Sequence, residues 1–209
     1  MTNVKTLSKV IAIALLAAGA TQATAAETRT YKASVTVKNA FEVAETTALS
    51  FGTVRAQAAK AVAATSVDSA WIVLATDGTF TSGTTGTATP VTSKLQNLEG
   101  GSAAEFAISD VSNFTAMTIT MPASIVLTAA SSNPTAPKFT VDTFTFKPVT
   151  GTSTDTDFAT GNAAAITSDG SGAASFLVGA TLTTGETTIA DMSYSEELYE
   201  GSYDITVSY

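Results

Sequence analysis

The chain has 209 residues, with ten basic and eighteen acidic side chains and neither Cys nor His. Those two absences remove the Ser-His and Cys-His pairs, the ordinary zinc site and any disulfide, and with them most of the catalytic repertoire. A formal net charge of −8 keeps such a chain soluble and argues against nucleic acid or an anionic membrane as a partner.

The first segment reads as an export leader. Lys5 and Lys9 supply the positive start, and residues 10–20 are an apolar run of eleven, too short to span a bilayer. Ala23-Thr24-Ala25 fits the small-residue cleavage pattern, so the cut is expected after Ala25, with Ala26 as its rival. The competing reading is an N-terminal membrane anchor. No Cys follows the run, which excludes a lipoprotein anchor, and no later run is long enough to span a membrane. Two of the ten basic residues and none of the acidic ones fall in the leader, which leaves eight against eighteen, a net charge of −10. The exported part, residues 26–209, is long enough for one domain that buries roughly 70% of its unfolded surface.

Residues 31–43 form one alternating run. Tyr31, Ala33, Val35, Val37, Phe41 and Val43 take odd positions, broken only by Asn39, against Lys32, Ser34, Thr36, Lys38 and Glu42. A period of two predicts a strand with one dry and one wet face. Thirteen residues at about 3.3 Å each span roughly 43 Å, where a usual strand has about five or six residues. Such a strand either bends through two sheets or reaches beyond its own domain. Phe41 and Val43 lead into TALSFGTV and so are assigned to the domain's own core. That leaves residues 31–37 as the segment free to travel and 38–40 as a hinge.

Further along, residues 54–65 (VRAQAAKAVAAT) are the one helix-like stretch, readable equally as a loop. The dense apolar run AWIVLAT precedes Asp77-Gly78, a hairpin signal, and Phe80 starts a short return. Residues 82–90 read as loop. Ala104, Phe106 and Ile108 alternate in one strand, and Met117, Ile119 and Met121 in the next, which stops at Pro122. Residues 125–127 add a short one. In residues 138–149 the apolar phase slips, from Phe139 and Val141 to Phe144 and Phe146, which predicts a β-bulge near Asp142 and Thr143. Phe176, Val178, Ala180 and Leu182 mark another strand. The chain closes with Tyr199, Gly201, Tyr203, Ile205, Val207 and Tyr209 on one row. The pattern predicts a single all-β, Ig-like antiparallel sandwich of about eight to ten strands.

Motifs for chemistry are few. G-x-S-x-G and S-x-x-K are absent. Gly170-Ser171-Gly172 lacks the spacing of a phosphate cradle. Asp155 with Asp157, and Glu196 with Glu197, are paired acids in polar loops, where solvation explains them without a hydrolase. Asp155 and Asp157 also open like a calcium loop, but Ala159, Thr160 and Ile166 stand where a ligand, the turn Gly and the last Glu belong. Trp71 lies inside an apolar run, as a core or half-buried ring would, rather than a sugar platform. No catalytic residue, metal or cofactor is expected.

Four stretches carry a family resemblance: ASVTVKNAFEVAETTALSFGTV, GGSAAEFAISDVSNFTAMTITMPASIVLT, ASFLVGATLTTG and YEGSYDITVSY. In this order they resemble DUF4402, a family of secreted bacterial β-domains. The closing aromatic strand is similar to that of pilins assembled by chaperone and usher, although many of those carry a Cys pair and this chain does not. The resemblance implies a structural subunit of a surface pilus-like or matrix filament. In that reading Tyr31, Ala33, Val35 and Val37 form a donor strand that completes the sheet of the next copy beside Tyr203, Ile205, Val207 and Tyr209. A periplasmic chaperone and an outer-membrane usher are the implied partners. Two other readings stay open. Residues 31–37 can be the ordinary first strand of a closed sandwich, and the protein can be a monomeric surface module that binds a glycan or protein through its loops.

Overall fold

The computed structural model describes residues 32, 34, 40–61, 68–87, 91–131, 136–152, 157–159, 166–187 and 191–209. The chain divides into Met1–Val37 and Lys38–Tyr209, and every described strand lies in the second unit. Residues 1–30, which include the leader read from the sequence, and Tyr31, Ala33, Val35 and Val37 lie outside the described residues.

The described residues form antiparallel sheets without a helix. Ten strands have five residues or more: β1 (Glu42–Thr47), β2 (Thr53–Ala58), β3 (Ser69–Leu74), β4 (Phe80–Thr85), β5 (Lys94–Glu99), β6 (Ala104–Ser109), β7 (Ala116–Thr120), β8 (Ser124–Ala129), β9 (Phe139–Thr150) and β12 (Ala174–Thr184). Five short pieces complete the ladders: β10 (Phe158–Ala159), β11 (Ile166–Thr167), β13 (Met192–Ser193), β14 (Tyr199–Glu200) and β15 (Thr206–Ser208).

The main sheet runs β1-β6-β12-β9-β8-β14. Its centre is β12, whose Phe176, Val178, Ala180 and Leu182 are all 2% exposed or less. One side of β12 is shared. Residues 174–178 pair with β6 and 180–183 with β3, while the other side pairs with β9. The slip in β9 is the expected bulge. Pairing with β12 jumps between Gly179 and Thr181, and Thr143 takes a left-handed φ of 51°. The extra residue returns Phe144 and Phe146 to the face of Phe139 and Val141, so all four are buried.

The β3–β4 hairpin turns where Asp77-Gly78 predicts it. Gly78 has a φ of 80°, and the Asp77 carboxylate accepts from Thr79 N–H at 2.9 Å and Thr79 Oγ1 at 2.6 Å. Residues 82–85 continue as β4 rather than loop. Trp71 lies opposite Gly83, and a Cβ there would come within 2.4 Å of the indole. The half-buried ring thus covers the bare backbone of its cross-strand neighbour.

Two three-stranded sheets, β11-β7-β15 and β13-β2-β5, complete the sandwich. The helix-like stretch is corrected here: residues 53–58 are β2, paired with β5 and β13. Val54, Ala56 and Ala58 alternate inward against exposed Thr53 and Arg55, and this pairing overrides the helix preference of Ala. The closing run is not one strand. β14 pairs with β8 and β15 with β7, so residues 201–205 cross between sheets, alongside the β7–β8 crossing at Pro122.

Candidate functional site

One open margin of the sandwich lies where its first and last described strands meet. β1 pairs only with β6, and β15 only with β7, so each leaves a free edge among the described residues.

Register shows which way β1 faces. Val43 lies opposite Ile108 and Glu45 opposite Phe106. Directly opposed residues share a face, and Ile108 and Phe106 are 1% and 7% exposed. Val43 and Glu45 therefore point to the core side. Yet Val43 is 38% exposed, and Glu45 is exposed too. β15 repeats the pattern. Val207 lies opposite fully buried Ile119 but is only half-buried, and Tyr209, on the same row, is 68% exposed.

One ring contact sets the two edges side by side, and a second ties the closing segment to β9. Phe41 meets Tyr209 edge-on with ring centroids 5.6 Å apart. At the other end Tyr203 tilts over Phe144 at 6.1 Å. Its hydroxyl is buried without a hydrogen-bond partner among the described residues. Burial, and then the nearby charge of Glu45, push this phenol up to about 12. Tyr209 therefore lies near the start of β1, and Tyr203 near its later part. A cleft of about 480 Å³ opens beside Tyr203, between the two crossings, lined by Thr120, Met121, Ile125 and Asp204 among others.

The margin is acidic. Residues 41–47 and 202–209 hold Glu42, Glu45 and Asp204 and no Lys or Arg. Of the four C-terminal residues singled out in the sequence, only Val207 lies within a strand, while Tyr203, Ile205 and Tyr209 extend its row. Sequence reasoning missed Val43 and Glu45 as margin residues. The available signal was Glu45 itself, a charge that follows Phe41 and Val43 on the odd row, as found on edge strands that point a charge inward.

Asp157, Glu197 and the 170–172 turn do structural work. Asp157 accepts from Thr76 Oγ1 at 2.8 Å, and Asp155 lies outside the described residues. Glu197 accepts from Ser131 N–H at 2.8 Å and Ser131 Oγ at 2.9 Å, which clamps a turn. Among the described residues no three acidic side chains gather to hold a metal ion. Gly170-Ser171-Gly172 wraps the Asp169 carboxylate, which accepts from Ser171 N–H at 2.8 Å, Ser171 Oγ at 2.7 Å and Ala173 N–H at 3.0 Å.

These turns carry a pH dependence. The Ser171 hydroxyl and neighbouring N–H groups hold Asp169 below the usual carboxylate range, and Thr79 does the same for Asp77. A lowered folded pKa adds stability above the unfolded value of 3.8 and loses it as pH falls through the folded value. The melting temperature is therefore expected to drop as pH goes below about 4, and less so in an Asp77→Asn, Asp169→Asn double variant. Parallel melting curves from pH 6 to pH 2 check this; equal slopes for both proteins would contradict it.

The architecture defines the class: an antiparallel β-sandwich domain. A family model described as a domain of unknown function, DUF4402, matches residues 41–209. The chain belongs to the DUF4402 family. The match starts at Phe41, so residues 31–37 lie outside it. No curated protein and no solved structure matches the chain.

Proposed function

We propose that this protein is an exported, non-enzymatic subunit of a pilus-like or extracellular-matrix filament, in which a strand of one copy completes the sandwich of the next. One observation carries the reading: core-facing Val43 stays 38% exposed at a margin flanked by two strand edges that are free among the described residues. An added strand there supplies main-chain hydrogen bonds to an edge and apolar cover for the row. Residues 31–37 have the alternating form such a strand needs. In transit through the periplasm a chaperone would cover the same margin, and an outer-membrane usher would pass the subunits outward. Nucleic acid and a membrane-spanning segment after leader cleavage have no place in this reading.

The test is the state of the exported protein. Negative-stain microscopy and size exclusion are expected to show polymers from the full chain and only monomers when residues 31–37 are deleted. A full chain that stays monomeric at high concentration overturns the proposal. A second reading, a monomeric module that binds glycan or protein through its loops, is favoured by Phe114. This loop aromatic is 67% exposed with a left-handed φ of 54°. Compact single particles that bind a glycan or protein, and lose that binding on Phe114→Ala, would support it.

A further inference from the structure

We infer that residues 31–38 of a second copy enter the margin antiparallel to β15 and to residues 203–205 that lead into it, with Tyr31 opposite Tyr209, Ala33 opposite Val207, Val35 opposite Ile205 and Val37 opposite Tyr203. This register rests on the filament reading above and makes it specific. Three independent features select it.

The first is phase. Both rows lie on odd positions, and Tyr203, Ile205 and Val207 are half-buried where their even neighbours are exposed. A shift by one residue would turn Ala33, Val35 and Val37 outward and Lys32 and Lys38 inward. The second is chemistry at the ends. The antiparallel direction brings Tyr31 to the Phe41–Tyr209 ring pair, where a third ring extends an existing edge-on contact. It brings Lys38 to the end that holds Glu45 and Asp204, with Asp204 diagonal to it on the outward face. The parallel direction would place Tyr31 beside Glu45 and Lys38 at the aromatic end. The third is charge. Residues 28–38 hold Arg29, Lys32 and Lys38 and no acid, against the acidic margin with no base. The opposite net charges draw the basic segment to this margin, and Lys38 meets Asp204 on the outward face while the apolar row faces the core.

The chain has no Cys, so introduced pairs are its only thiols. Opposed residues of an antiparallel pair lie about 4.5–5.5 Å apart between Cα atoms, within disulfide reach, whereas diagonal ones lie about 7–8 Å apart. Full chains that carry Ala33→Cys and, with a different tag, Val207→Cys are mixed under mild oxidation. The same is done for Val37→Cys with Tyr203→Cys, and for Val37→Cys with Tyr209→Cys. The expected result is disulfide-linked heterodimer in the first two mixtures and none in the third. Linkage in the third alone overturns the antiparallel direction. A chain carrying both Ala33→Cys and Val207→Cys that links only within itself overturns the second copy as occupant. Polymers without linkage in the first two mixtures overturn the register and leave the filament reading standing, whereas monomers without linkage end both. As a further check, Lys38→Glu should slow assembly at low salt, and 0.5 M salt should narrow the gap. Equal rates at both salts would remove the charge argument.

Discussion

Phe176→Ala is expected to lower the stability of the domain by about 3–5 kcal/mol. Phe176 is fully buried at the centre of β12, stacked on Phe106 with centroids 5.3 Å apart and edge-on to Phe146 at 6.1 Å. Its neighbours belong to β6 and β9, and each is fixed by its own ladder to β12. They cannot collapse into the space a truncated ring leaves, so the loss combines transfer of the ring with a persistent cavity. Domains of this kind have about 5–15 kcal/mol in all, so one substitution removes about a fifth of it or more. Guanidinium unfolding measures it as a lower midpoint at unchanged slope. Val126→Ala is the control: Val126 is 50% exposed, and its loss should stay near 0.5 kcal/mol. Comparable losses at the two sites would mean that β12 is not the organising strand.

That β12 could be found without coordinates follows from its chemistry. Phe176, Val178, Ala180 and Leu182 alternate without a break, because a strand with one face in the core selects for period two. The β9 bulge was legible for the same reason, since only an inserted residue reconciles Val141 with Phe144. β5 was not legible. Its KLQNLE buries only Leu95 below a tenth, so its place is set by pairing with β2 rather than by its own pattern. Tyr194 escaped in the same way. It sits in a polar connection, yet stacks on Phe139 at 4.0 Å. Its hydroxyl donates to the Lys138 carbonyl and accepts from Gly185 N–H, and burial raises the phenol's pKa. The candidate margin was half legible. The closing row named one side of it, but its partner edge depends on register between β1 and β6, which no local pattern encodes.

Val43→Asp is expected to leave the monomer's stability within about 1 kcal/mol and to weaken polymerisation more than hundredfold. The two numbers separate because the site is exposed in one state and covered in the other. In the single domain, Val43 is 38% exposed on an edge strand, so a carboxylate there keeps much of its water. Once a strand of a second copy closes the margin, that carboxylate is desolvated beside Glu45 on the same row, with no base in residues 41–47 or 202–209 to pair with it. An uncompensated buried charge costs about 3–5 kcal/mol, and each 1.4 kcal/mol is about tenfold in association. Sedimentation velocity gives the association, and thermal melting of the dilute monomer gives the stability. Val126→Asp makes the same replacement on β8 and should polymerise like the parent. If Val43→Asp assembles as well as the parent while melting normally, the covered surface lies elsewhere. If it fails to fold, Val43 is already part of a closed core, and its 38% exposure no longer marks an acceptor.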